Sequence, residues 1–289
     1  MSNSDKPVVR FVEVGEDEQD QRIDNYLIRQ LKGLPRSRLY RLLRKGEVRV
    51  NKGRIDASYR LQAGDTVRIP PVRLAESNSG SVAPGNKVLE RIDAAIIHED
   101  DGLMVIDKPS GLAVHGGSGL NYGLIEALRQ LRPKTQGLEL VHRLDRDTSG
   151  CILIAKKRSV LRELHQLMRQ GRITKDYLVL VCGKVSRKRF SVDAPLRKNV
   201  LKSGERIVRV DPEGKPSLTR FKCVQQLTEA TLLEARLETG RTHQIRVHTA
   251  HSGHPIAGDD KYGERETNRH FADMGLNRLF LHAVRIGIK

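Results

Sequence analysis

Residues 142–150, HRLDRDTSG, crowd His142, Arg143, Asp145, Arg146, Asp147, Thr148 and Ser149 just ahead of the apolar run CILIA. A carboxylate in such a loop can attack an electrophilic carbon or take a proton, with the following strand holding it in place. The same residues allow a purely structural reading, in which Asp145 pairs with Arg143 or Arg146 or caps a turn. Position alone does not choose between them.

Two further clusters invite chemistry. GRTHQIRVHTAHSGHP (240–255) carries His243, His248, His251 and His254. Their spacing matches none of the usual zinc motifs, no cysteine lies near, and Arg241 and Arg246 would repel a cation. Contact with RNA, packing on a sheet and supporting hydrogen bonds account better for these histidines, and no metal is expected. A His/Cys/Cys deaminase set is also absent. The glycine-rich loop SGLAVHGGSG (110–119) contains neither a GxGxxG opening a helix nor a GxxxxGK[ST], so no nucleotide cofactor is expected. His115, with Gly116 and Gly117, reads as a tight turn beside the site.

The elements that must position these residues follow from periodicity. CILIAKK (151–157) is a strong strand, and DYLVLVCG (176–183), FKCVQQL (221–227) and TLLEARL (231–237) add others. AIIHED (95–100) and LMVIDKP (103–109) read as two strands around an Asp-Asp-Gly turn. YGLIEALRQL (122–131) reads as a helix, and Ser159 as the cap of another carrying Leu161, Leu164 and Leu167. Many short strands with few helices predict an α+β protein on a mixed, largely antiparallel sheet.

Ahead of this lies a smaller basic unit. Ile23, Leu27 and Leu31 form a helical stripe, Pro35 opens a second helix, and Gly46 closes it. Strands at 48–54 and 66–70 complete the unit. Arg36, Arg38, Arg41, Arg44, Lys45, Arg49, Lys52 and Arg54 fall here against the single acid Glu47. In the second helix Leu39, Leu42 and Leu43 look inward, and Arg38, Arg41 and Lys45 share the opposite face. Such a stripe can be no more than a wet surface, but an RNA backbone would neutralise its self-repulsion. The whole chain carries 52 Lys and Arg against 35 Asp and Glu in 289 residues, a net charge of +17 that favours a polyanionic partner. No run approaches a membrane span, no signal core opens the chain, and three unpaired cysteines fit a reducing cytoplasm. The predicted division is an extension over 1–19, the basic unit over 20–75, a Ser/Gly/Pro-rich linker over 76–91 and the large domain over 92–289.

HRLDRDTSG, then KDYLVLV (175–181), GRTHQIRVH (240–248) and NRLFLHA (277–283), together resemble the RluA family of pseudouridine synthases. The small unit resembles an S4-type RNA-binding domain. The resemblance spans roughly residues 10–285. It implies a pseudouridine synthase catalytic domain that isomerises uridine without a cofactor, with Asp145 as the catalytic aspartate. It further implies Tyr177 as the active-site tyrosine contacting the base and assisting proton removal at C5, and Arg246 as the basic residue pairing with the aspartate. Arg143 would help replace the flipped nucleotide, Leu281 would floor the pocket, and His142 and His115 would lie against substrate. Asp147 occupies a variable position of the signature. The implied target is 23S large-subunit ribosomal RNA, at three uridines, free or partly assembled, bound by a monomer. Transfer RNA, other ribosomal uridines or a noncatalytic assembly role are the alternatives. Family members continue past the LHA strand with another strand and a short helix, whereas this sequence stops at LHAVRIGIK (281–289). A missing sheet edge is therefore expected.

Overall fold

The computed structural model describes residues 8–31, 33–72, 84–116, 122–135, 137–200 and 206–289. The predicted linker from 76 to 83 and the glycine-rich tip from 117 to 119 lie outside the described residues. Backbone proximity divides the chain into two units, Met1–Gly80 and Ser81–Lys289.

In the small unit, β1 (Arg10–Glu13), α1 (Ile23–Gln30), α2 (Arg36–Lys45), β2 (Arg49–Val50), β3 (Gly53–Arg54) and β4 (Thr66–Ile69) follow one another. The sheet order is β1-β4-β2-β3. Leu27, Leu31, Leu39, Leu42 and Leu43 are buried together with Val50, Val67 and Ile69. Gly46 ends α2 in the left-handed conformation, where a side chain would be strained. Asn51 and Lys52 both take positive φ in the β2–β3 turn, and the Asn51 side chain donates to Asp65 to hold it. The outer face of α2 differs in detail from expectation: Arg36, Arg41, Arg44 and Lys45 are exposed, and Arg38 is only half so. Arg49, Lys52 and Arg54 extend the same exposed cationic set.

The large unit runs α3 (Asn86–Asp93), β5 (Ile96–Glu99), β6 (Leu103–Lys108), α4 (Leu124–Leu131), β7 (Glu139–Leu140), β8 (Ser149–Ala155), α5 (Arg158–Arg169), β9 (Ile173–Cys182) and β10 (Arg189–Asp193). Then come β11 (Leu196–Val200), β12 (Arg206–Val210), β13 (Leu218–Gln226), β14 (Ala230–Leu237), α6 (Gln244–His251), α7 (Arg265–Asp273) and β15 (Leu281–Ile288). Among the described residues the main sheet is ordered β10-β13-β14-β9-β15-β8-β6-β5, with β7 also on β8, and β11–β12 form a separate hairpin. Every pairing in the main sheet is antiparallel except β15 with β8. The fold is thus the α+β arrangement on a mixed, mostly antiparallel sheet that the strand pattern predicts.

Three readings need correction. Residues 10–13, assigned to the extension, form β1 and pair with β4 in the sheet of the small unit. Residues 86–91, assigned to the linker, belong to α3, whose Ile92 is buried in the main core. Ser159 is not a cap: α5 starts at Arg158, with Lys157 in the capping position and no side-chain bond there. Strand β15 lies inside the sheet, paired with β9 from Leu281 to Ile288 and with β8 only at His282 and Ala283.

Candidate active site

Strand alternation in β9 sets the first wall of the site. Lys175, Tyr177, Val179 and Val181 share one face, and Val179 and Val181 are fully buried in the core. Asp176 points the other way and anchors Arg236 and Arg285. Tyr177 therefore stands over the core with its ring buried. Burial, followed by the charge of Asp145, pushes its hydroxyl well above the usual tyrosine range.

The Asp145 loop is clamped from beneath. Lys108, at the end of β6 and fully buried, donates to the carbonyls of Pro109 (3.0 Å), Leu112 (2.8 Å) and Arg146 (3.0 Å). Desolvation lowers its pKa to about 8, and the charges of Asp147 and Asp145 oppose that shift. Gly111 N–H donates to Arg146 and the Ser110 hydroxyl to Asp147, both at backbone carbonyls. The loop after β6 thereby fixes the backbone immediately after Asp145. On the other flank His142 accepts the Leu153 N–H at Nε2, 3.2 Å away. Burial, with Lys175 nearby, depresses the His142 pKa to about 4, so the ring is neutral at pH 7.

The third wall is α6, buried over its first six residues. Gln244 holds its start: its carbonyl accepts from the Thr239 hydroxyl and Arg241 N–H, and its amide donates to Leu218 and the Thr219 hydroxyl. Arg246, one turn in, faces the site. Its Nε and Nη2 donate to the two oxygens of Asp259, at 2.8 and 2.7 Å, with both side chains buried. The expected direct pairing of Arg246 with Asp145 is therefore replaced by Asp259, and Asp145 acts on the guanidinium as a more distant charge. The reason is local: the turn 256–263 buries a carboxylate that would otherwise have no counterion.

Asp145 does not form the structural pairs weighed from sequence either. Arg146 bonds instead to Asp147 at the surface, and the polar neighbour of Asp145 is His243, whose Nε2 lies 3.9 Å from Oδ2. Two concavities meet at this carboxylate. Arg143, Leu144, Asp145, His243 and Arg246 line both. The smaller, about 440 Å³, adds His142, Tyr177 and Leu281 with Lys175. The larger, about 1160 Å³, adds His115 with Arg91, Lys261 and Arg278. Six of the seven predicted catalytic and substrate-contact residues thus share the small cavity, and His115 lies in the adjoining groove. The eight cations predicted to bind RNA fall on the small unit. Among the described residues no group of three or more His, Cys, Asp and Glu is placed to hold a metal ion.

A partly apolar cavity closing on one carboxylate, beside a wide groove rich in Arg and Lys, suits a flipped nucleotide with its backbone outside. The sequence profile described as RNA pseudouridylate synthase matches residues 102–251, and that of the S4 domain residues 21–67. The chain belongs to the RNA pseudouridylate synthase family. This synthase is 58% identical, over 98% of its own length and 89% of the relative's, to ribosomal large subunit pseudouridine synthase C of Escherichia coli. It is 57% identical, over 96% and 86%, to the protein of that name in Haemophilus influenzae. Among solved structures it resembles human RNA pseudouridylate synthase domain containing 1, with a TM-score of 0.58 and 25% identity over 70% of this chain and 80% of that one.

Sequence reasoning passed over four residues of the site. Lys175 was legible as the residue two before Tyr177 on the same strand face. His243 stood in the histidine cluster, read with the others as RNA contact, sheet packing or a supporting hydrogen bond and not as a neighbour of Asp145. Asp259 and Tyr262, in GDDKYG, gave no signal beyond a turn, because their partners are remote in sequence.

Proposed function

We propose that the chain isomerises uridines of 23S ribosomal RNA to pseudouridine, with Asp145 as the catalytic carboxylate. The observation that carries the reading is the convergence of Asp145, Tyr177, Arg246 and Leu281 on one cavity that opens beside a basic groove. The names of the bacterial relatives support the large ribosomal subunit as target. Three uridines, acted on by a monomer in free or partly assembled RNA, complete the proposal.

The reaction breaks N1–C1′, turns the uracil, joins C5 to C1′ and moves one proton. Ionised Asp145 attacks C1′ or takes the C2′ proton to give a glycal. Arg246, held by Asp259, adds positive potential where negative charge shifts during the reaction. Tyr177 and Leu281 hold the uracil once its bond to the sugar is broken. The charge of Asp145 is one cause of the raised Tyr177 pKa, so its loss to the sugar makes the neutral Tyr177 hydroxyl a better hydrogen-bond donor to the freed uracil. Arg143, exposed at the rim, fills the space left by the flipped base. The exposed cations of the small unit contribute affinity for the backbone.

The test incubates unmodified large-subunit RNA with the chain or with Asp145→Asn, in chelator, and maps pseudouridine by carbodiimide-blocked primer extension. Discrete stops only with the unsubstituted chain, with equal RNA binding by both, support the proposal. Stops with Asp145→Asn, or none with either protein despite binding, overturn it.

A further inference from the structure

Asp145 must present one oxygen to the sugar, yet the strongest donor near it, Arg246, is committed to Asp259. We propose that Tyr262 and His243 form a positioning pair for Asp145, in which the Tyr262 hydroxyl fixes the His243 tautomer that turns an Nε2–H towards the carboxylate. This rests on the reading of Asp145 as the catalytic carboxylate.

The hydrogen bonds set the direction. Val208 N–H donates to the Tyr262 oxygen at 3.0 Å, and that oxygen lies 2.7 Å from His243 Nδ1. A phenol has one proton to give. Among the described residues these are the two hydrogen-bond neighbours of that oxygen, so giving the proton to Nδ1 satisfies both groups. The opposite direction, Nδ1–H donating, leaves the phenol proton without an acceptor there. With Nδ1 accepting, the neutral ring carries its proton on Nε2, the atom 3.9 Å from Asp145 Oδ2. That gap is longer than a hydrogen bond, as catalytic contacts without substrate often are, and a small ring rotation closes it.

The same helix contains a finished version of this relay. Gln244 donates to the Thr219 hydroxyl, which is paired with His248 Nδ1 at 2.9 Å, and His248 Nε2 lies 3.0 Å from the Ala194 carbonyl. There the backbone acceptor requires Nε2–H. At His243 the acceptor is the carboxylate of Asp145.

His243 is also held in an uncommon backbone state, at φ 53 in the capping position of α6. Left-handed residues other than glycine persist where surrounding contacts over-determine them. Here those contacts are the Tyr262 bond and the packed edge-to-face rings, with centroids 5.6 Å apart. The charged groups facing the imidazole are Asp145 and Asp259, which favour its cation, and Arg246 and Lys261, which oppose it. Burial is the largest influence and lowers the pKa of the ring below the usual histidine value, which favours the neutral form. A neutral donor orients Asp145 without removing the charge the reaction needs.

The test uses the full chain with ¹⁵N-labelled histidine, reading ring ¹⁵N–¹H correlations at pH 7.5, with His243→Gln to assign the signal. The expected wild-type signal is the Nε2–H tautomer, and Tyr262→Phe shifts it to a mixture. In single-turnover assays Tyr262→Phe lowers the rate on the order of 10- to 100-fold with RNA affinity unchanged, as for a misplaced reacting group. His243→Gln presents a side-chain N–H that needs no tautomer, so adding Tyr262→Phe to it lowers the rate no further. An Nδ1–H signal in the wild type overturns the proposal even if Tyr262→Phe fails to fold. A wild-type rate in folded Tyr262→Phe does so as well, provided Asp145→Asn is inactive. Activity in Asp145→Asn overturns the parent reading instead.

Discussion

Arg246 and Asp259 are joined by two hydrogen bonds, at 2.8 and 2.7 Å, inside a site where both side chains are shielded from water. Asp259 also accepts the backbone N–H groups of Lys261 and Tyr262 at Oδ1. One carboxylate therefore sets both the arginine and the turn that carries Tyr262.

Replacing Asp259 by alanine leaves a buried guanidinium without its counterion. Such a break is destabilising by about 3–5 kcal/mol. Urea unfolding at pH 7 should register that loss. Isomerisation, measured where the variant is still folded, should fall at least as far as in Tyr262→Phe, because the arginine and the turn are released together. Unchanged stability would show that water or another acid takes over the guanidinium.

His142 gives a pH prediction with a definite sign. Its folded pKa, about 4, lies below the ordinary 6.5, so between these values the unfolded chain binds more protons than the folded one. Stability from this residue is full above pH 6.5 and is lost as pH falls towards 4. The share lost between pH 7 and pH 5 is about 2 kcal/mol. His142→Gln keeps an acceptor for the Leu153 N–H but has no proton to bind. Its unfolding free energy should fall less between pH 7 and pH 5 than that of the wild type, and parallel falls would place the proton elsewhere.

Much of this was open to sequence reasoning where a local period carries the information. Strands β8 and β9 and helix α2 follow from apolar spacing, and the alternation of β9 alone puts Lys175 and Tyr177 on one face. Helix α3 escaped because Ile92 is its only buried residue, so its sequence looks like the linker before it. Strand β1 escaped for a similar reason, as none of its four residues is buried and its identity comes from pairing with β4. The partner of Arg246 was not legible at all. Asp145 and Asp259 are both carboxylates in turn-like sequences, and only the three-dimensional path of 256–263 brings the second into the guanidinium plane.

Gly150, the last residue of HRLDRDTSG, shows that part of the signature serves the scaffold. It sits at φ 108, opposite Ala283 in the parallel junction of β8 and β15, and a Cβ there would collide with the Ala283 backbone. Gly150→Ala combines a strained dihedral with overpacking, each of which costs about 1–3 kcal/mol. A lowered melting temperature is expected, with activity lost in proportion to unfolding. Loss of activity at unchanged stability would mean that the glycine serves the site directly.

The cationic face of the small unit is testable through salt. Arg41, Arg44 and Lys45 are exposed on α2, and an exposed basic face that tracks an RNA backbone binds by releasing counterions. Each phosphate that such a face neutralises adds about 0.7–0.9 to the steepness of log affinity against log salt. The triple substitution to glutamine should flatten that slope by about 2–3 while weakening binding to unrelated RNAs to the same degree. Once RNA is saturating, the rate of isomerisation should be unaffected, because these residues lie outside the catalytic unit. An unchanged slope would reduce the face to solvated surface charge, and a lowered rate at saturation would give α2 a part in presenting the target uridine.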